Sequence, residues 1–116
     1  MSLNKVMLIG NVGKEPEVRY LDGGAQGAQG RKVATFTLAT TEKYRDRSGE
    51  MRENTEWHNI VAWSGKNMPD FSRIGKGTPV YVCGRLRSSK YTAGDGTERQ
   101  IYEVIANKMA IEEDGQ

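Results

Sequence analysis

The segment Thr55–Lys66 contains the side chains best suited to binding or catalysis in this sequence. It holds both tryptophans, Trp57 and Trp63, and the only histidine, His58. Because side chains alternate along a β-strand, a strand here would place every second residue from Trp57 to Trp63 on one face and His58 on the other. The two indoles would lie about 20 Å apart, at about 3.3 Å per residue. Rings at this spacing could be core residues or platforms on which flat ligands stack.

The candidate catalytic and metal-binding patterns are incomplete. A lone His58 and a lone Cys83 cannot supply a structural zinc site, so no metal is predicted. The segment Ser64–Lys66 resembles the end of a phosphate-binding loop, but Asn67 replaces the Ser or Thr and the leading glycine is missing. Gly94-Asp95-Gly96 lacks the third glycine of a dinucleotide site. We therefore predict a protein that is not an enzyme and has no cofactor, with a structural or interface role for His58.

Composition and charge bound the class of protein. The 116 residues indicate one domain, and 14 glycines with only 3 prolines favour short strands and turns. The net charge is +2, but three acids cluster at Glu112, Glu113 and Asp114, which leaves 17 basic and 12 acidic residues before them. A basic body with an acidic tip is typical of nucleic-acid binders, although solubility alone would also explain it.

Two further features indicate the compartment. Cys83 is the only cysteine, which excludes an internal disulfide and fits a reducing environment. The N-terminus lacks a secretory pattern, and no apolar run approaches the length that spans a membrane. We therefore expect a soluble cytoplasmic protein with no membrane contact.

Apolar runs bounded by turn residues predict the strands. They are Asn4–Val12, a bent continuation over Glu17–Leu21, Lys32–Thr41, Asn54–Trp63, Thr78–Leu86 and Gln100–Ala106. The charged segments 41–53 and 87–99 predict two hairpin arms, with turns at Ser48-Gly49 and Gly94-Asp95-Gly96. The glycine-rich segment Asp22–Gly30 predicts a flexible loop.

One short helix is predicted over Asn67–Gly75, capped by Asn67 and packed through Met68, Phe71 and Ile74. When the bent first segment counts as one strand, the chain has five strands with this helix between strands 3 and 4. This order predicts an all-β, five-stranded OB-fold barrel with long β-hairpin arms, a fold that binds oligonucleotides and oligosaccharides. The barrel domain is predicted over residues 1–110, and the acidic end over 111–116 is expected to be disordered.

Aromatic residues recur beside basic ones. Tyr44 lies between Lys43 and Arg45, and Tyr91 follows Lys90. A ring that stacks on a base, next to a cation that contacts a phosphate, is the combination that single strands require. From these residues alone, the tryptophans could be core residues or stacking platforms. The best basic candidates, Arg85, Arg87 and Lys90, lie in a segment without acids between Gly84 and Ala93.

These motifs together match a known family. They are Asn4-Lys5-Val6, Gly10-Asn11-Val12-Gly13, Glu15-Pro16-Glu17-Val18-Arg19-Tyr20, Thr37-Leu38-Ala39-Thr40, Thr55-Glu56-Trp57-His58, Lys76-Gly77 and Val80-Tyr81-Val82 with Gly84. The chain resembles the bacterial single-stranded DNA-binding protein family over nearly its whole length. The resemblance implies a homotetrameric OB-fold that binds single-stranded DNA without sequence preference in replication, recombination and repair.

The resemblance also implies the site residues. Bases would stack on Tyr44, Trp57, Trp63 and Tyr91, and phosphates would contact Arg19, Lys66, Lys76, Arg87 and Lys90, to which the charge pattern adds Arg85. The subunit contact would include His58, with Lys5 and Met7. Tyr44 and Tyr91 stand where tryptophan occurs in the family, and Asn59 and Ser89 stand where a basic residue is common. The loop Asp22–Gly30 is longer than usual for the family.

Family members typically carry a long tail with an acidic tip, so replication and repair proteins are predicted as partners only with a longer tail than this chain has. Two alternatives have different functions. One is an oligomeric OB-fold module that makes protein contacts through structural aromatics, as in primosomal replication proteins. The other is a nuclease or deaminase, which the missing metal ligands disfavour.

Overall fold

The computed structural model describes residues 1–21 and 31–112. Its strands are β1 (Val6–Val12), β2 (Glu17–Leu21), β3 (Arg31–Arg45), β4 (Met51–Trp63), β5 (Pro79–Thr92) and β6 (Glu98–Ile111). The described part of the chain has one 3₁₀ turn, at Phe71–Arg73, and no longer helix. The all-β prediction is therefore confirmed. The loop predicted over Asp22–Gly30 and residues 113–116 of the predicted disordered end lie outside the described residues. The first residue of that end, Ile111, belongs to β6.

Five of the strands close into a barrel. They follow the order β1-β5-β6-β4-β3, and the pairs Asn11–Ala39 and Val12–Leu38 join β1 back to β3. The β4–β6 pairing is parallel, whereas the other pairings are antiparallel. The predicted bent first strand is two strands, because the ladder breaks before Pro16, which has no N–H to donate. β2 then lies at the edge of the sheet, paired with β3.

The barrel core is built from alternate residues of each strand, as the period of a strand requires. The largest side chains that are fully buried come from four strands: Val12, Leu38, Ile60, Val80 and Val82. Gly84 allows β5 and β6 to approach closely at a bulge, where a Cβ would collide with the Ile105 carbonyl. The residues between these core positions face outward, and they form the surface on which a ligand can lie.

The predicted helix is much shorter than expected. Met68, Phe71 and Ile74 do pack on the core, but the helical residues are only Phe71–Arg73. The N-cap is Asp70 rather than Asn67, and its carboxylate accepts hydrogen bonds from the Ser72 N–H and hydroxyl at 3.0 and 2.9 Å. A helical turn of three residues forms few internal hydrogen bonds. Tertiary packing and the Asp70 cap therefore stabilise it.

Both predicted arms are present as extensions of barrel strands. β3 and β4 remain paired out to Arg45 and Met51, and β5 and β6 out to Thr92 and Glu98. Beyond the barrel these segments are exposed. The radius of gyration is 17.0 Å, compared with about 13 Å for a compact chain of about 100 residues. The arms therefore project from the barrel instead of folding back on it.

The tip of the β3–β4 arm is organised by Asp46. One carboxylate oxygen of Asp46 accepts hydrogen bonds from the Ser48 N–H, the Ser48 hydroxyl and the Glu50 N–H, at 2.9, 2.7 and 3.0 Å. The other accepts from the Arg52 Nε at 2.7 Å. The Ser48 hydroxyl and the Arg52 guanidinium stabilise the charged form, so the pKa of Asp46 falls to about 2.

Candidate nucleic-acid interface

Strand register places the predicted aromatic residues of the barrel on one outward surface. Trp63 lies opposite Val33, Val61 opposite Thr35, and Trp57 opposite Ala39. Residues directly opposite each other in a ladder point to the same side of the sheet. We call this surface the aromatic face, which comprises Arg19, Thr35, Thr37, Trp57, Asn59, Val61, Trp63, Arg85 and Arg87.

Trp57 lies near one end of the aromatic face. Its side chain is 61% exposed, so it is not a core residue. The edge of its indole lies against Gly13, where a Cβ would come within 2.7 Å of the ring. A glycine at this corner between β1 and β2 thus leaves room for the ring. The exposure of the ring is what a stacking platform requires.

Trp63 lies near the other end and is half-buried. The Arg31 guanidinium lies over its ring, 4.7 Å from the ring centroid. This contact is a cation–π interaction, and it covers one side of the indole. Sequence reasoning missed Arg31, since it follows the loop and only the pairing of β3 with β4 brings it to Trp63.

An open groove of about 230 Å³ lies on the barrel between the two tryptophans. Its polar lining includes Thr35, Thr37 and Asn59 of the aromatic face. Its charged lining is one lysine, Lys14, and three acids, Glu15, Glu17 and Glu103. Val61 is buried in its floor and is separate from the barrel core. Hydroxyl and amide groups can donate hydrogen bonds to any base or accept them from it, whereas the carboxylates repel phosphates. A single-stranded nucleic acid would therefore turn its bases toward this groove and its phosphates away from it.

The predicted basic residues fall into two groups. Arg87 is paired with Glu103 at 2.9 Å, and Arg19 lies 3.8 Å from Glu17. Within the described residues, the remaining predicted cations make no ion pair: Lys66, Lys76, Arg85 and Lys90. The segment around Arg87 contains no acid in sequence, but Glu103 lies opposite Arg87 across the β5–β6 ladder.

The arm residues divide between the two sides of their ladders. Tyr91 is separated from Arg85 and Arg87 by an even number of residues along β5, so it points to the same side of the β5–β6 ladder. Lys90 points to the other side, although it precedes Tyr91 in sequence. Tyr44 is paired with Arg52 and points away from the side that carries Trp57. Tyr44 and Tyr91 are 48% and 51% exposed, so both rings are open to a ligand.

The turn that carries Lys76 is fixed to the corner between β1 and β2. The Glu15 carboxylate accepts a hydrogen bond from the Lys76 N–H at 3.3 Å, and Gly75 packs against the same carboxylate. Because Gly13 and Trp57 share this corner, the backbone of Lys76 is held at the Trp57 end of the molecule. Lys66 lies at the opposite end, where it lines a second pocket with Arg31, Trp63 and Arg85.

The predicted subunit-contact residues lie elsewhere. His58 is half-buried on the side opposite Trp57, as predicted, and its Nε2 is 2.9 Å from the Thr40 hydroxyl. Met7 is exposed on the outer side of β1, opposite Cys83, and Lys5 is exposed just before β1. Their part in assembly stays a prediction.

The described residues contain no group of three or more His, Cys, Asp or Glu side chains arranged to hold a metal ion. None of the helical segments in the described part is long and apolar enough to cross a membrane.

The closed barrel, with its 3₁₀ turn between the third and fourth barrel strands in chain order, defines the class: this is an OB-fold protein with an aromatic and basic sheet face. Two solved structures share the fold. One is described as the Plasmodium falciparum SSB complex with ssDNA (TM-score 0.70, 41% identity, covering 95% of this chain and 93% of that one). The other is a deletion mutant of the single-stranded DNA binding protein from Thermus aquaticus (TM-score 0.71, 26% identity, covering 97% and 52%).

Sequence comparison gives the family. A model of the single-strand binding protein family matches residues 3–111. The single-stranded DNA-binding proteins of Neisseria meningitidis serogroups A and B are each 44% identical to this chain over 111 residues, which is 96% of the chain. The chain therefore belongs to the single-strand binding protein family. It spans 60% of the length of these two relatives.

Proposed function

We propose that this chain binds single-stranded DNA without sequence preference, through base stacking on the aromatic face and phosphate contacts from lysine and arginine. The observation that carries the proposal is the placement of the two tryptophans. Both lie on one outward face of the barrel, and one of them is 61% exposed. Each end of the face also has cations that make no ion pair with the described residues. The family membership and the P. falciparum SSB complex with ssDNA support the same ligand.

The mechanism is binding alone. Each base that stacks on an aromatic ring contributes about 1–3 kcal/mol, and every base offers such a ring face. Lys66 and Arg85 at one end and Lys76 at the other would contact phosphates, whose neutralisation releases counterions. Arg31 covers one side of the Trp63 ring, so an incoming base either displaces the guanidinium or stacks on its outer side. Either arrangement keeps a cation beside the strand.

The cellular role follows from this binding. A strand whose bases are stacked on protein cannot pair with its complement and is shielded from nucleases. We propose that the chain keeps single strands open in the cytoplasm, at the nucleoid, during replication, recombination and repair. The structural-aromatic alternative requires buried indoles, and the exposure of Trp57 disfavours it.

We also propose that copies of the chain assemble into a homotetramer, with β1 in one contact. The outer side of β1 exposes Met7 and Ile9, opposite Cys83 and Tyr81. Apolar side chains grouped on a strand are costly to leave in water and mark a contact surface. Sedimentation equilibrium should give a mass about four times 12.9 kDa, and Met7→Lys should lower it. A monomeric mass at micromolar concentration would contradict the assembly.

Competition between DNA forms tests the proposed function. A fluorescent oligothymidine of about 30 nucleotides is bound to the protein, and unlabelled single-stranded or duplex DNA of the same length is added. Single strands of any sequence should compete, and their affinity should fall as salt rises. Duplex should compete far more weakly, because its bases are already stacked on each other. Equal competition by duplex DNA, or no binding of the oligothymidine, would contradict the proposal.

A further inference from the structure

A second basic pocket adjoins the Trp63 end of the aromatic face. The pocket around Trp63, of about 330 Å³, also contains Arg31, Lys66 and Arg85. The adjoining pocket, of about 400 Å³, is lined by Lys66, Met68, Arg73, Lys108 and Met109 among others, and we call it the Lys108 pocket. The segment from Lys66 to Met68 borders both pockets. A DNA single strand that passes Trp63 and crosses this segment would therefore enter the Lys108 pocket next.

The Lys108 pocket is suited to a phosphate. Its described lining contains three cationic side chains, those of Lys66, Arg73 and Lys108, and no acidic one. Within the described part of the chain, neither lysine makes an ion pair. Asp70 lies in the same loop and its charge interacts with that of Arg73, but Asp70 is not among the residues that line the pocket. A phosphodiester in this pocket would thus meet the two lysines, and the described residues of the wall include no carboxylate.

The pocket is also fixed in shape. Met109 is buried in the barrel core, and its N–H donates to the Asn67 carbonyl at 3.0 Å. Met68 packs against the same core, and its N–H donates to the Gly65 carbonyl at 3.2 Å. These contacts hold the loop against β6 before any ligand arrives. A preformed site of this kind loses little conformational entropy on binding.

We propose that the Lys108 pocket binds a backbone phosphate of the same single strand, after the strand has passed Trp63. This inference rests on the proposed function and extends the path of the strand beyond the aromatic face. The described lining of the pocket has no aromatic side chain, so it offers no platform for a base. The contact is therefore with the sugar–phosphate chain and is the same for every sequence.

The test compares Lys108→Gln with Lys108→Arg, which keeps the charge at the same position. Because Lys108 lies opposite Cys83, on the sheet side of Met7, sedimentation must first show that both variants assemble like the unmodified chain. Affinity is measured against salt with oligothymidines of about 5 and about 30 nucleotides, since an OB-fold covers about 4–16 nucleotides. With the longer oligothymidine, Lys108→Gln should flatten the slope of log affinity against log salt by about 0.7, the value for one lost contact on a single strand. Lys108→Arg should match the unmodified chain. With the shorter oligothymidine, which spans only the aromatic face, all three proteins should agree.

Two results would overturn the inference while the proposed function stands. One is an unchanged slope for Lys108→Gln on the longer oligothymidine that the unmodified chain still binds. The other is an equal change on both lengths, which would mean that the lysine acts through the overall charge of the protein and not through a contact beyond Trp63. If the unmodified chain binds neither oligothymidine, the proposed function itself fails, and this inference fails with it.

Discussion

Replacing Trp57 by alanine separates a stacking platform from a structural ring. The side chain is 61% exposed and rests on Gly13, outside the barrel core, so its loss leaves no internal cavity. The free energy of unfolding should therefore change by no more than about 0.5 kcal/mol. Binding should lose one base stack, worth about 1–3 kcal/mol. This corresponds to a rise in Kd of about 5- to 150-fold, of similar size for thymine, cytosine and adenine strands.

The matched control is Tyr102→Ala. Tyr102 is 56% exposed, but it lies on the opposite side of β6 from Glu103 and the aromatic face. Its removal deletes a ring of similar exposure that is not on the proposed path, so Kd should change less than about twofold. Fluorescence anisotropy of a labelled oligonucleotide measures Kd, and thermal unfolding with sedimentation checks that both variants fold and assemble. Equal losses of affinity in the two variants, or unfolding of Trp57→Ala, would refute the reasoning.

Three further predictions concern charge, packing and pH. Arg87→Gln should flatten the salt slope of binding by about 0.7, and an unaltered slope would mean that the arginine serves only its ion pair with Glu103. Gly84→Ala should lower the free energy of unfolding by about 1–3 kcal/mol, because a Cβ there meets the backbone of β6; a denaturation midpoint equal to that of the unmodified protein would contradict it. For Asp46, the Ser48 hydroxyl and other donors lower the pKa from 3.8 to about 2, so its stabilisation of the arm tip is complete above pH of about 4 and is lost as the pH falls toward 2. The NMR shift of the Ser48 amide should follow that transition, and a shift that stays constant from pH 5 to 2 would argue against it.

The residues that sequence predicts best are those governed by local periodicity. Alternation alone assigns Trp57 and Trp63 to one face and His58 to the other, and the ladder of β4 confirms it. The arms and their turns are likewise local, since turn residues and exposed charges mark them. The short helix is the exception. Its apolar residues pack as predicted, but Asp70 caps a single turn, and packing rather than propensity decides its length.

What sequence could not supply is the register between strands. Glu103 is 16 residues from Arg87, yet the β5–β6 ladder places the two side by side. Arg31 reaches Trp63 only because β3 is paired with β4. Register also separates Lys90 from its sequence neighbour Tyr91, since adjacent residues of a strand face opposite ways. The sequence does not mark Lys108 as a site residue, because its pocket is formed by β6 together with residues 66–73, which are distant in the sequence.

Intrinsic tryptophan fluorescence during titration with poly-dT tests the central claim most directly. The chain has two tryptophans, and both lie on the aromatic face, so the whole signal comes from the proposed stacking site. Stacked thymines should quench it strongly, to a stoichiometric end point, and added salt should restore it as the strand is released. Binding of poly-dT with no change in tryptophan emission would show that the strand lies elsewhere and would contradict the claim.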